Sequence, residues 1–172
     1  MNISAFSNQL IELRDAQSDD YREILQLNTE AVPNVNLIDA DKLRELHEQA
    51  AALVVAQEKS SGRIAGFLLV ITDGADYDSL NYQYFSANYS SFAYVDRIVV
   101  SPDHQRKGIG KLFYKYLFDL AADRPTTCEV NVEPPNEQSM AFHGQLGFTS
   151  VEEQATEGGT KRVALLVRPG DP

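Results

Sequence analysis

Cysteine is almost missing from this chain. Cys128 stands alone among 172 residues, so no intramolecular disulfide can form and no paired-cysteine zinc spacing exists. Long hydrophobic runs are missing too. The longest, Ile64 to Ile71, is far too short to span a bilayer, and no membrane role is expected. Positive charge is scarce: 15 Lys and Arg stand against 25 Asp and Glu, a formal net charge of −10. A general nucleic-acid binder needs a basic face to displace counterions, so nucleic acid is not an expected partner. The negative field favours a cationic one. The opening MNISAFSNQLIELRD has no basic start followed by an apolar run, so no secretory signal is expected and the reading is a soluble, cytoplasmic protein. His47 and His104 have no companion ligands, and no metal is expected. Hydrophobic residues make up 43%, which suits one globular domain over residues 1–172.

Periodicity orders the elements. Residues 11–14 alternate as a first strand. Ser18-Asp19-Asp20 caps a helix to about residue 30, and Pro33 ends it. Asp39 or Asp41 caps a second helix with Leu43, Leu46, His47 and Ala50 on one face. Strands 53–57 and 63–72 make a hairpin about the Lys59–Gly62 turn. Residues 73–91 carry turn residues and many aromatics and read as a long connection. Strand 92–100 precedes a helix over 108–123, whose Ile109, Leu112, Phe113, Tyr116, Leu117 and Leu120 form one apolar stripe. Strand 127–132, a helix from Asn136 to Leu146 stopped by Gly147, and strands 148–153 and 161–168 complete the chain. The order is mixed α/β (α+β), with antiparallel hairpins around a strand–helix–strand–helix centre.

The stretch HQRKGIGK, residues 104–111, falls where a strand passes into a helix. The first amides of a helix have no partners and sit at the positive end of its dipole. Glycine lets that backbone approach an anion closely, so a phosphate is a reasonable occupant. The P-loop is excluded, because Leu112 follows Gly110-Lys111 and Gln105 stands where its first glycine belongs. The dinucleotide fingerprint is excluded because Phe113 replaces its third glycine.

What remains, Gln105-x-x-Gly108-x-Gly110, resembles the pyrophosphate motif Q/R-x-x-G-x-G/A of the GNAT superfamily of N-acetyltransferases. Downstream, Asn136 to Phe148 is similar to the family segment N-x-x-[AS]-x-x-[LF]-Y-x-x-L-G-F. The resemblance covers Phe92 to Phe148. It implies a mostly antiparallel mixed sheet flanked by helices, with a central pair of parallel strands, 92–100 and 127–132, that splay around acetyl-CoA. It implies that backbone amides of Gln105, Arg106, Lys107, Gly108, Ile109 and Gly110 hold the pyrophosphate, with charge from Arg106, Lys107 and Lys111. Ile98, Val99 and Val100 would offer backbone groups to the pantetheine and acetyl carbonyl. Asn136 and Ser139 are candidate contacts to the coenzyme arm, although Asn136 also reads as a helix cap. The implied activity is direct acetyl transfer to a primary amine, a small cationic metabolite being favoured over a peptide N-terminus or lysine. A CoA-binding module without transfer activity is the alternative.

One position departs from the family pattern. His143 stands where many members carry a tyrosine near the thioester sulfur. Imidazole, with an ordinary pKa of about 6.5, suits proton exchange near neutrality. Tyr94 is a substitute donor. Tyr94, Asp96, Ile98 and Val100 share one strand face, and Glu129, Asn131 and Glu133 share a face of the next. Asp96 and Glu133 are the expected bases, with a water chain as a third route. Cys128 reads as a buried strand residue. The tyrosines of 73–91 could line an amine pocket, make a homodimer contact, or pack as a structured insertion.

Overall fold

A computed structural model describes residues 2–170 of the chain. Among the described residues seven strands follow the order β1-β2-β3-β4-β5-β7-β6, mostly antiparallel with one parallel pair. They are β1 (Ile11–Asp15), β2 (Ala52–Glu58), β3 (Ile64–Thr72), β4 (Ala93–Val100), β5 (Thr126–Glu133), β6 (Thr149–Thr156) and β7 (Lys161–Arg168). Among the same residues five α-helices accompany them: α1 (Tyr21–Glu30), α2 (Ala40–Gln49), α3 (Leu80–Asn88), α4 (Ile109–Ala121) and α5 (Glu137–Gln145). The mixed fold expected from the sequence is therefore present. The chain divides into two compact units, one holding residues up to Ile71 with Arg97–Leu120, the other Thr72–Asp96 with Ala121 onward. Among the described residues no helix is long and apolar enough to cross a membrane.

In the first unit, β1 and β2 pair antiparallel from Ile11↔Glu58 to Asp15↔Val54, and β2 pairs with β3 from Ala52↔Val70. β1 buries Ile11 and Leu13 and leaves Glu12 and Arg14 half-covered, the alternation of a one-sided strand. β3 is buried from Ile64 to Ile71, so the long apolar run is a strand covered on both faces. Asp20 joins β1 to α1: its carboxylate takes two hydrogen bonds from Arg14, at 2.7 and 2.8 Å, and one from the Gln17 amide. Asp39 caps α2 by accepting from the Lys42 amide at 2.8 Å. Arg97 is buried on the β4 face opposite Asp96, where it donates to Asn28 Oδ1 (2.8 Å) and Asn36 Oδ1 (3.1 Å). The α4 stripe behaves as its spacing predicts: Ile109, Phe113, Tyr116 and Leu117 are buried, and Leu112 and Leu120 half-buried.

In the second unit, β5 pairs with β7 and β7 with β6, all antiparallel. β4 and β5 run parallel and pair at Ala93↔Thr126 and Tyr94↔Thr127, the first two residues of each. α5 begins under an Asn136 cap, whose side chain accepts from the Ser139 amide. It ends as expected at Gly147, whose φ of +87° suits glycine, with the Phe148 amide returning to the His143 carbonyl at 3.1 Å. Residues 73–91 are a structured insertion, one of the readings left open for them, and not a plain connection. They contain α3, capped by Ser79, and Tyr82 and Phe85 are buried among Phe92 and Tyr94. Asp73 ties the two ends together by accepting from the Ser91 hydroxyl and the Phe92 amide.

Candidate active site

The HQRKGIGK stretch lies in the first unit. A short 3₁₀ turn, Pro102–His104, ends β4's extension, and α4 starts at Ile109. Between them the backbone turns left-handed twice, at Arg106 (φ +60°) and Gly108 (φ +82°). Glycine accepts this freely and arginine at a cost of about 1–2 kcal/mol. A Cβ at Gly108 would meet nothing within 4 Å, so the cradle is open there. The Gly108 carbonyl accepts from the Leu112 amide at 3.0 Å, the first bond of the helix. Among the described residues, the amides of Arg106, Lys107, Gly108, Ile109, Gly110 and Lys111 have no protein acceptor. A run of unpaired amides at a helix start is a chemical match for a pyrophosphate. The side chains of Gln105, Arg106, Lys107 and Lys111 are exposed.

Ile98 and Val100 are half-buried and Val99 buried. Their backbone is set by a residue that no motif singles out. Gly66 of β3 faces Val99, and a Cβ there would lie 2.5 Å from the Val99 carbonyl oxygen, 3.3 Å from Val100 Cα and 3.4 Å from the Phe113 ring. Only glycine admits so close an approach of the strands. The Ser101 amide then donates to the Ala65 carbonyl at 2.9 Å, fixing the exit from β4.

The titratable candidates lie in the second unit. Tyr94 is fully buried, and its hydroxyl donates to Glu129 Oε2 at 2.8 Å. Burial first, and then the charges of Glu129 and Asp96, push its pKa well above 10. Tyr94 is therefore a protonated donor at any working pH. Tyr77, from the aromatic segment, donates to Asp96 Oδ1 at 2.5 Å. Two carboxylates, Asp96 and Glu129, are thus each held by a tyrosine hydroxyl. Glu129 was not among the expected bases, and its signal is only that it shares a strand face with Asn131, two residues beyond the Tyr94↔Thr127 pair.

Glu133 is not brought into this group by any contact among the described residues. The β5–β7 register shifts between Asn131 and Glu133, which disturbs the alternation that would have aligned it with Glu129. Its side chain is 69% exposed and lies 3.8 Å from Arg162, which also binds Glu153 at 2.7 Å. His143, by contrast, is buried at 3% exposure between Phe142 and Phe148. Its Nδ1 lies 2.8 Å from the Ser139 carbonyl and 3.2 Å from the Ser139 hydroxyl. A carbonyl can only accept, so Nδ1 carries the proton and the neutral ring keeps its lone pair on Nε2. Burial lowers the pKa below 6.5, against a smaller raising effect of the Ser139 carbonyl. The ring is therefore neutral at pH 7. Cys128 is buried, as its strand position implies. Among the described residues no group of three or more His, Cys, Asp or Glu could hold a metal ion.

Comparison with known proteins identifies the family and the fold. The acetyltransferase (GNAT) family model matches residues 10–148, most of the chain, and the protein belongs to that family. No curated protein sequence matches it significantly. Among solved structures, the fold is similar to Ard1 from Thermoplasma volcanium, with a TM-score of 0.74 at 12% identity over 95% of this chain and 99% of that one. The ribosomal-protein-S18-alanine N-acetyltransferase from Escherichia coli gives 0.66 at 17% identity, over 95% and 96%. Arabidopsis thaliana NAA60 in complex with acetyl-CoA gives 0.73 at 14%, over 92% and 99%.

Proposed function

We propose that this protein is an acetyl-CoA-dependent N-acetyltransferase that passes the acetyl group directly to a primary amine, with a small cationic amine as its acceptor. The observation that carries the reading is the Arg106–Lys111 run of amides without protein acceptors, in a chain of this family. Those amides hold the pyrophosphate, with Arg106, Lys107 and Lys111 adding charge. Asn136 and Ser139 contribute to the coenzyme arm from the start of α5. Ile98, Val99 and Val100 supply backbone groups for the pantetheine and the acetyl carbonyl. The coenzyme supplies an activated thioester.

The chain's own residues then manage protons and orientation. The amine attacks only when neutral, and the two tyrosine-held carboxylates, Asp96 and Glu129, attract it as a cation and take its proton. Glu129 is the better placed base, because the phenol that orients it is fully buried, whereas the Tyr77 that holds Asp96 is half-buried. Asp96 takes the same role more weakly, and the exposed Glu133 is the least suited of the three. Tyr94 stays protonated. A thiol of ordinary pKa about 8.5 is more acidic than this phenol, so the thiolate departs without drawing a proton from Tyr94. His143 acts near the sulfur as a neutral ring, and gives up a proton there only from its charged form. The acidic balance of the chain, −10, supports a cationic acceptor.

A panel of amines with detection of released thiol tests this. Turnover is expected with small di- and polyamines and weaker turnover with peptides bearing free N-termini or lysine. Turnover of peptides alone would move the acceptor class. Coenzyme binding without turnover of any amine would return the reading to a CoA-binding module.

A further inference from the structure

Among the polar side chains of HQRKGIGK, His104 alone is buried, at 7% exposure. Ile109 is also buried, at 1%. The exposed residues Gln105 to Gly108 therefore form an arch on two buried feet, one apolar and one an imidazole. The imidazole is an unexpected choice for a foot. Its Nδ1 is buried without a hydrogen-bond partner among the described residues, a cost that an aliphatic side chain would not carry.

What the ring adds is its other nitrogen. His104 Nε2 lies 3.7 Å from Glu58 Oε1, within ion-pair reach. Glu58 is itself held in place at the end of β2. Its amide donates to the Arg63 carbonyl at 2.9 Å, and its Oε2 accepts the Ser61 hydroxyl. The Ser61 bond first, and the charges of His104 and Arg63 after it, keep the Glu58 carboxyl below its ordinary range. The backbone around the arch is fixed as well, by His104 N to Ser101 O at 2.9 Å and Ser101 N to Ala65 O at 2.9 Å.

We propose that the His104–Glu58 contact positions the Gln105–Gly108 arch for the coenzyme, so that His104 is a positioning residue whose loss weakens coenzyme binding and leaves the chemical step intact. The inference rests on the acetyltransferase reading, in which those amides bind pyrophosphate. Its effect belongs to affinity for the coenzyme alone, because the arch carries no group assigned to proton transfer.

The test is calorimetric titration of free CoA into the parent, His104→Ala, His104→Gln, Glu58→Gln and the His104→Ala/Glu58→Gln pair, with steady-state kinetics beside it. His104→Ala and Glu58→Gln are each expected to weaken CoA binding about fivefold. The double variant should be no weaker than the worse single one, because both remove one contact. His104→Gln, which restores a donor toward Glu58, should recover most of the affinity. The KM for acetyl-CoA should rise while kcat and the KM for the amine stay unchanged. If His104→Ala does not fold, Glu58→Gln at a half-exposed position carries the test. Parent-like affinity in the variants, or losses that multiply in the double variant, would overturn the proposal while the coenzyme reading stands. A folded parent that binds no CoA would overturn both.

Discussion

The Tyr94 hydroxyl reaches Glu129 Oε2 at 2.8 Å, across a parallel strand pair that meets at Ala93↔Thr126 and Tyr94↔Thr127. A fully buried phenol thus fixes a half-buried carboxylate on the neighbouring strand. The bond orients Glu129. The more exposed Glu133, four residues on, is held by no tyrosine hydroxyl among the described residues.

Replacing Glu129 by Gln keeps the size and still accepts the Tyr94 hydroxyl, but removes the basic site. We expect kcat to fall by about 10²–10⁴ with little change in CoA affinity. Thiol-release kinetics beside a CoA titration separates the two. A kcat within a factor of two of the parent would transfer the role to Asp96, and Asp96→Asn is then the variant with the larger loss.

His143 sets a dependence of stability on pH. Its folded-state pKa lies below the ordinary 6.5 because burial disfavours the charged ring. As pH falls, the unfolded chain takes up this proton before the folded one. The linked stability is therefore present above about pH 6.5 and is lost as pH falls toward the lowered folded value. His143→Gln can donate to the Ser139 carbonyl but cannot be protonated. Melting temperatures measured from about pH 7.5 to about pH 5 should fall more steeply for the parent than for this variant. Parallel curves would show that the ring does not titrate with folding.

Gly66 holds the end of β4. Gly66→Ala places a Cβ 2.5 Å from the Val99 carbonyl oxygen, and the strands must separate to admit it. Destabilisation of about 1–3 kcal/mol is expected in denaturant unfolding. Coenzyme affinity should fall with it, since Val99 and Val100 move. An unchanged midpoint would mean that the strands part freely.

Much of this is legible in the sequence. The α4 stripe, the Asp39 cap and the Gly147 stop follow from local spacing and cap chemistry, which act within a few residues of sequence. α3 was not legible: Tyr82 and Phe85 are buried while Leu80 is exposed, so its apolar residues make no single stripe, and Asp73 and the β4 rings order it from a distance. The roles of Gly66 and Glu129 depend on which residue of another strand lies opposite, which no local pattern encodes. Glu133 follows a shift in the β5–β7 register, which strict alternation along β5 does not reveal. The tautomer of His143 depends on the Ser139 carbonyl, a backbone group that is identical in every sequence.

Gly108 offers the sharpest variant of the loop. Its φ of +82° strains any side chain, yet a Cβ there meets no atom within 4 Å. Gly108→Val should leave the fold in place at a cost of about 1–2 kcal/mol and obstruct the open cradle. CoA affinity is expected to fall at least about tenfold, read by titration calorimetry. Affinity equal to the parent's would remove the cradle from the binding site.

The account stands on the unpaired amides of residues 106–111 holding a coenzyme pyrophosphate. The most direct measurement is a calorimetric titration of the folded parent with acetyl-CoA and with free CoA. Saturable binding of both at one site per chain is the expected result. Heats no different from dilution for either ligand, on protein shown to be folded, would contradict it.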